Sequence, residues 1–114
     1  MARVVMLLAF APGLPEGDLS DRLELSVPLT PQGHLDESTA DLPPWSVCRT
    51  EPDGRRQAAE LLREGESWVL RRTDVQDAPL WNFESQVLRP GEYVTLRRPT
   101  GDELVFRIVD VQDD

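Results

Sequence analysis

"TEPDGRRQAAELLREGESW", residues 50–68, admits two backbone paths. In one it is a single helix: Thr50 caps it, Pro52 and Asp53 sit in the first turn, and Gly65 stops it. In the other it is part of a β-meander that reverses at Pro-Asp-Gly and again at Glu-Gly. Register separates the two. A three-residue loop at Pro52-Asp53-Gly54 sets Glu51 opposite Arg55, and then Arg49 opposite Gln57, Val47 opposite Ala59 and Trp45 opposite Leu61. A two-residue loop at Glu64-Gly65 sets Arg63 opposite Glu66, Leu61 opposite Trp68 and Ala59 opposite Leu70. The two hairpins independently place Ala59 and Leu61 on one face. That face reads Trp45, Val47, Ala59, Leu61, Trp68 and Leu70, all apolar, with opposite charges beside each turn.

The helix has its own support. Ala58, Leu61 and Leu62 stand at helical spacing, and Ala, Leu, Glu and Arg favour helices. Its apolar stripe is only one turn long, however. Pro-Asp-Gly is a turn with a mechanism: Pro presets φ, Asp hydrogen-bonds the local backbone, and Gly accepts positive φ. The meander is the preferred reading, and a short helix over residues 55–63 is the alternative.

The rest of the chain reads the same way. Residues 3–10 are a continuous apolar run of strand length, expected to be covered on both faces. The competing reading, a signal peptide with Ala9-Phe10-Ala11 before the cut, needs a longer apolar run and no proline next to the cut. Residues 22–29 alternate at Leu23, Leu25 and Val27 as a half-buried strand does, and Pro28 marks its end. Residues 30–44 are polar and rich in turn formers. Trp81 and Phe83 share one strand face, with Asn82 and Glu84 on the other. In the final hairpin, a loop at Pro99-Thr100-Gly101 pairs Leu96 with Leu104 and Val94 with Phe106 as core. It pairs Arg97 with Glu103 and Tyr93 with Arg107 on the wetter side. "TPQG", "EPDG" and "RPTG" share a P-x-G pattern, read as one turn chemistry used three times. The expectation is a single mostly β domain over residues 1–114. Its form is a compact antiparallel sandwich or a partly open barrel of about seven short strands.

Charge narrows function. The 114 residues carry twelve basic side chains, all arginine, and twenty-one acids, for a formal net charge of −9. Such a chain is repelled by phosphate backbones and anionic lipid, which argues against nucleic-acid and membrane partners. Arg71, Arg72, Arg89 and Arg107 are the arginines with no acid at hand in this register. Cys48 is the only cysteine, so no intrachain disulfide forms, in keeping with a cytoplasmic location.

No nucleophile elbow, P-loop or dinucleotide fingerprint occurs, so no catalytic residue is assigned and no cofactor is expected. His34-x-Asp36-Glu37 offers one nitrogen and some oxygens on a polar loop. A zinc site usually wants three or four ligands with His or Cys dominant, so no metal is expected there. The residues best placed to meet a partner are Trp81, Tyr93, Arg97, Arg107, His34 and Asp36. The leading expectation is a non-catalytic module that binds a protein, with self-association through an edge strand a further route. The alternatives are an acidic inhibitor or immunity-type protein that blocks a basic partner, and a small enzyme or ligand-binding barrel.

Overall fold

Residues 50–68 form two hairpins, not a helix. In the computed structural model, which describes residues 1–85 and 87–113, β3 (Trp45–Thr50), β4 (Arg56–Glu64) and β5 (Ser67–Arg72) lie side by side and antiparallel. The first hairpin has the expected register, with Trp45 opposite Leu61, Val47 opposite Ala59 and Arg49 opposite Gln57. The second is displaced by two residues: Glu64 pairs with Ser67, Arg63 with Trp68 and Leu61 with Leu70. The loop is therefore Gly65-Glu66 rather than Glu64-Gly65. Gly65, at φ 63°, takes the first loop position, where a tight hairpin needs a left-handed residue. A shift of two preserves which face each side chain points to, so Leu61 and Leu70 remain in the core. Ala59 faces Arg72 instead of Leu70, and Arg63 leaves Glu66 for Glu37.

The three P-x-G sequences make one and the same turn. The residue before Pro donates its N–H to the carbonyl of the residue after Gly, for Thr30 to His34, Glu51 to Arg55 and Arg98 to Asp102, each at 2.8 Å. The Gly N–H returns to the carbonyl of the residue before Pro at 2.8–2.9 Å. All three glycines sit at φ between 88° and 94°, a conformation that other residues adopt only at a cost.

Around this centre the chain adds β1 (Ala2–Phe10), β2 (Asp18–Val27), β6 (Trp81–Glu84), β7 (Tyr93–Arg97) and β8 (Glu103–Asp113). Every strand pairs with its chain neighbours, and β1 pairs with β8 from Ala2 opposite Asp113 to Phe10 opposite Val105. The result is a closed, up-and-down, eight-stranded antiparallel barrel. It is neither a sandwich nor a partly open barrel, it has eight strands rather than seven, and none of its described residues is helical. The β1–β8 ladder joins the two ends of the chain, and no local pattern announces such a pairing. It also means that β1 and β8 are not edges, so an edge-to-edge dimer would first have to open a ladder.

Alternate residues fill the interior: Val4, Met6 and Leu8 of β1, Leu23, Leu25 and Val27 of β2, Trp45 and Val47 of β3, and Val94, Leu96, Leu104 and Phe106 of the last hairpin. In β8 the alternation would next bury Asp110. A one-residue bulge at Val109 prevents this: Met6 faces Ile108, Val5 faces Asp110, and Val111 packs against the core instead. β1 is not covered throughout on both faces. Arg3 and Phe10 are exposed, and only Val4, Val5 and Met6 form a continuous buried run.

The hairpin loops of β1–β2, β3–β4, β5–β6 and β7–β8 share one end of the barrel, the far end. The other loops and both termini share the opposite end. There Leu29 and Leu35, bridged to each other, pack with Leu88 under the barrel floor. The Leu88 N–H donates to the Gly33 carbonyl, which ties the β6–β7 loop to the β2–β3 loop.

Two expectations follow. Phe106, fully buried, should cost about 3–5 kcal/mol when changed to Ala. Arg97, on the outer wall between Glu84 and Glu103, should cost under about 1 kcal/mol. Urea denaturation of both variants checks this, and equal losses would mean that the two faces of the hairpin are exchanged. The second concerns Glu24, which stitches β2 to β1 through Arg3 (3.1 and 3.2 Å) and also meets Arg22 at 2.7 Å. The Arg3 hydrogen bonds, with Arg22 beside them, hold its carboxyl below the usual 4.5. A depressed carboxylate stabilises the fold above its ordinary value and loses that stabilisation as pH falls through the folded value. Glu24→Gln should therefore cost under about 1 kcal/mol at pH 7, and the gap from the native protein should close well below pH 4.5.

Candidate functional site

The six residues expected to meet a partner do not form one site. Tyr93, Arg97 and Arg107 are on the outer wall, with Tyr93 opposite Arg107 across the β7–β8 ladder. Arg97 is held by Glu84 at 2.8 Å and Glu103 at 3.2 Å. Trp81 points inward at the far end, half-buried and opposite Leu70, with the Arg98 guanidinium 5.1 Å above its ring. His34 and Asp36 lie in the β2–β3 loop at the opposite end. His34 closes the first P-x-G turn, and its N–H also donates to Thr30 Oγ1. Asp36 accepts from the Ser38 hydroxyl and N–H, which hold its carboxyl below the usual range. Among the described residues no group of three or more His, Cys, Asp or Glu side chains is placed to hold a metal ion.

Three of the six line concave surfaces: Trp81 at the far end, Arg107 beside the Pro90-Gly91 turn, and Tyr93 beside the end of β6. Tyr93, 55% exposed, walls a cleft of about 520 Å³ at the end that carries the termini. The cleft follows from strand lengths. β6 is only four residues long and ends at Glu84, level with the start of β5 at Ser67, while β7 continues past it through Val94 and Tyr93. Two turns and a strand end then deliver the rim. The Gly65 reversal supplies Glu66 and Ser67, the end of β6 supplies Glu84 and Ser85, and the Pro90-Gly91 turn supplies Glu92 and Tyr93. That last turn is pinned by Glu92 N–H to the Arg89 carbonyl at 3.1 Å and Ile108 N–H to the Glu92 carbonyl at 2.8 Å.

Trp68 and Phe83, opposite each other across β5–β6, form the apolar floor. Trp68 is held firmly. One partner is Trp45, stacked at 5.2 Å between centroids and 26° between planes. Another is the Arg63 guanidinium, 5.4 Å from the Trp68 centroid and ion-paired to Glu37. Trp45 is fixed in turn by its indole N–H, which donates to the Asp41 carbonyl at 3.0 Å. Of the three rim carboxylates only Glu84 has an arginine; among the described residues Glu66 and Glu92 form no ion pair. The cleft is thus aromatic at the floor and negative at the rim. Glu66 is in the β4–β5 loop and Glu84 and Glu92 flank the β6–β7 connection, so no local motif groups the three.

The far end offers a second, smaller space of about 40 Å³ between Leu23, Val47, Leu70, Leu96, Pro79 and Trp81. That is far below the several hundred Å³ of a typical small-molecule pocket. Its polar rim is already satisfied. Arg49 grips Asp21 with two hydrogen bonds of 3.0 and 2.7 Å, the Gln57 amide donates to Glu51 at 2.9 Å, and Arg72 pairs with Asp74. Among the described residues Asp21 is the one buried acid, only 3% exposed, and its hydrogen bonds raise the pKa of Arg49. This pair closes the mouth of the barrel and belongs to the scaffold.

The arginines are largely neutralised at home. Arg71 and Arg72, which had no acid in the sequence register, pair with Glu60 and Asp74. Arg56, Arg89, Arg98 and Arg107 have no carboxylate partner among the described residues, and they lie on different strands and loops around the barrel. Comparison with family models, with curated proteins and with solved structures finds no match for this chain.

The Asp21–Arg49 pair gives an expectation. Asp21→Asn leaves a mostly buried guanidinium uncompensated and should cost about 3 kcal/mol or more. The double change Asp21→Leu with Arg49→Met removes both charges and should cost less than the single one, measured by chemical denaturation.

Proposed function

We propose that this protein is a non-catalytic binding module that recognises another protein, with the cleft walled by Tyr93 as its contact surface. One observation carries the reading: a preformed cleft whose floor is aromatic and whose rim is negative, held on rigid elements. A large ring that is exposed at a fixed position contributes contact area at little entropic cost, which is how protein interfaces are anchored. The small cavity at the far end leaves little room for a ligand inside the barrel, so the outer wall is the better place to look.

The charge layout supports the partner class. Among the described residues most arginines are paired, and Arg56, Arg89, Arg98 and Arg107 are on separate strands and loops, which argues against a phosphate backbone as partner. An apolar interior beneath an outer wall bearing Glu60, Arg71, Glu84 and Arg97 is the reverse of a barrel that faces lipid. Among the described residues no helix is long and apolar enough to cross a membrane. We place the protein in the cytoplasm, in keeping with one cysteine and a fold that uses no disulfide. The unpaired Glu66 and Glu92 favour a second reading in the same class, an acidic inhibitor that covers a basic partner.

The test has two arms. Single- and double-stranded oligonucleotides at about 50 mM salt, where a phosphate contact would be strongest, should show no micromolar binding. A protein captured by the native chain should be lost with Tyr93→Ala and kept with His34→Ala. Salt-sensitive oligonucleotide binding, or capture indifferent to Tyr93, would contradict the reading.

A further inference from the structure

We infer that the cleft takes a cationic side chain, a lysine or arginine carried on an exposed segment of the partner protein. This rests on the reading of the cleft as a protein-contact surface and adds the chemistry of what enters it.

Three features of the cleft agree. First, its lining is one-sided in charge: the charged residues that line it are Glu66, Glu84 and Glu92, Glu66 and Glu92 form no ion pair among the described residues, Arg97 is held between Glu84 and Glu103, and Arg107, opposite Tyr93, is outside the lining. An acidic segment or a phosphate would meet repulsion there, whereas an ammonium or guanidinium gains from each carboxylate. Second, three of its lining residues, Trp68, Phe83 and Tyr93, are aromatic. A cation over an aromatic ring is attracted by the ring quadrupole, and the attraction grows as water is excluded. Third, the chain itself uses this chemistry next door. Arg63 lies over Trp68, whose ring forms the cleft floor, and takes Glu37 as counter-ion. A guanidinium, an indole and a carboxylate already coexist there in one packed unit. Tyr93 and Glu92 present the same ring-and-carboxylate combination, and among the described residues no cation of the chain forms a ring contact with Tyr93.

The shape favours a side chain on a polypeptide over a free amine. At about 520 Å³ the cleft holds a long side chain with part of its backbone. Its rim residues Glu66, Ser67, Asn82, Glu84 and Glu92 are all exposed, so a small ion there would keep much of its water. A segment that lays flanking residues along the rim would bury far more. Ser67, Asn82 and Ser85 supply neutral donors and acceptors for its main chain.

The full chain, isotopically labelled, is titrated at about 50 mM salt with three peptides of one length: Ser-Lys repeats, Ser-Gln repeats and Ser-Glu repeats. Amide shifts are read by NMR. The Lys peptide should move Ser67, Asn82 and Tyr93, and the Glu peptide should move none of them. Glu66→Gln with Glu92→Gln, and separately Tyr93→Ala, should each weaken the Lys peptide about five- to tenfold, the effect of losing one or two such contacts. Glu16→Gln with Asp18→Asn changes net charge by the same amount on the β1–β2 hairpin, at the far end, and should leave affinity within about twofold, because distant charges are screened. Equal weakening by the two charge-removing variants would overturn the inference, since binding would then follow net charge alone. So would shifts scattered away from the cleft. If the Gln peptide moves the cleft amides as well as the Lys peptide does, the cationic preference is wrong while the contact surface stands. If all three peptides leave the cleft unmoved, both fall.

Discussion

The ladder between β1 and β8 is the constraint on which the rest of this molecule depends. An antiparallel meander of eight strands leaves two rows of unpaired N–H and C=O groups, one at each edge, unless its ends meet. Here they meet along almost the whole of β1, and the cost is two register shifts. The first shift keeps Asp110 out of the interior and admits Val111, so closure and core composition are settled together. With the wall closed, the interior can be dry and apolar along its length. The polar groups that must point inward, Asp21, Arg49 and Gln57, are confined to the far mouth, where partners wait for them.

Closure also makes the cleft. Eight strands of equal length would give an even rim. β1, β2, β4 and β8 are nine to eleven residues long, whereas β6 has four. At the end that carries the termini, β7 therefore runs past the end of β6 through Val94 and Tyr93 and leaves a notch in the wall there. The notch does not open into a hollow barrel, because Trp68 and Phe83 form its floor and the Trp45–Trp68 stack lies behind. A short strand in a closed wall thus turns scaffold residues into the floor of a surface site without weakening the core.

Much of this was legible in the sequence, and the limits are physical. Alternation and turn chemistry are local, so the β3–β4 and β7–β8 hairpins could be registered residue by residue, and the three P-x-G turns recognised as one device. The second hairpin slipped by two because both Glu64-Gly65 and Gly65-Glu66 make a two-residue loop. The alternating pattern cannot tell them apart, since an even shift keeps every face, and only the left-handed position of Gly65 does. Strand closure was not legible, because β1 and β8 meet across the full length of the chain with no turn between them. The candidate site was less legible still. Tyr93 could be singled out as an exposed ring. Glu92 is its neighbour in sequence, but Glu66 and Glu84 join them only through the β5–β6–β7 pairing, while Trp81, His34 and Asp36 are carried elsewhere by the same topology.

Hydrogen exchange along β1 tests closure most directly. In an antiparallel strand, successive amides point alternately to the two neighbours. If β1 lies between β2 and β8, the amides of Val4, Val5, Met6 and Leu7 all exchange slowly, at the rate of global unfolding. If the sheet is open at β1, the amides that face β2 stay protected and every second amide exchanges many times faster. Uniform protection is the result that closure requires; an alternating pattern would contradict it.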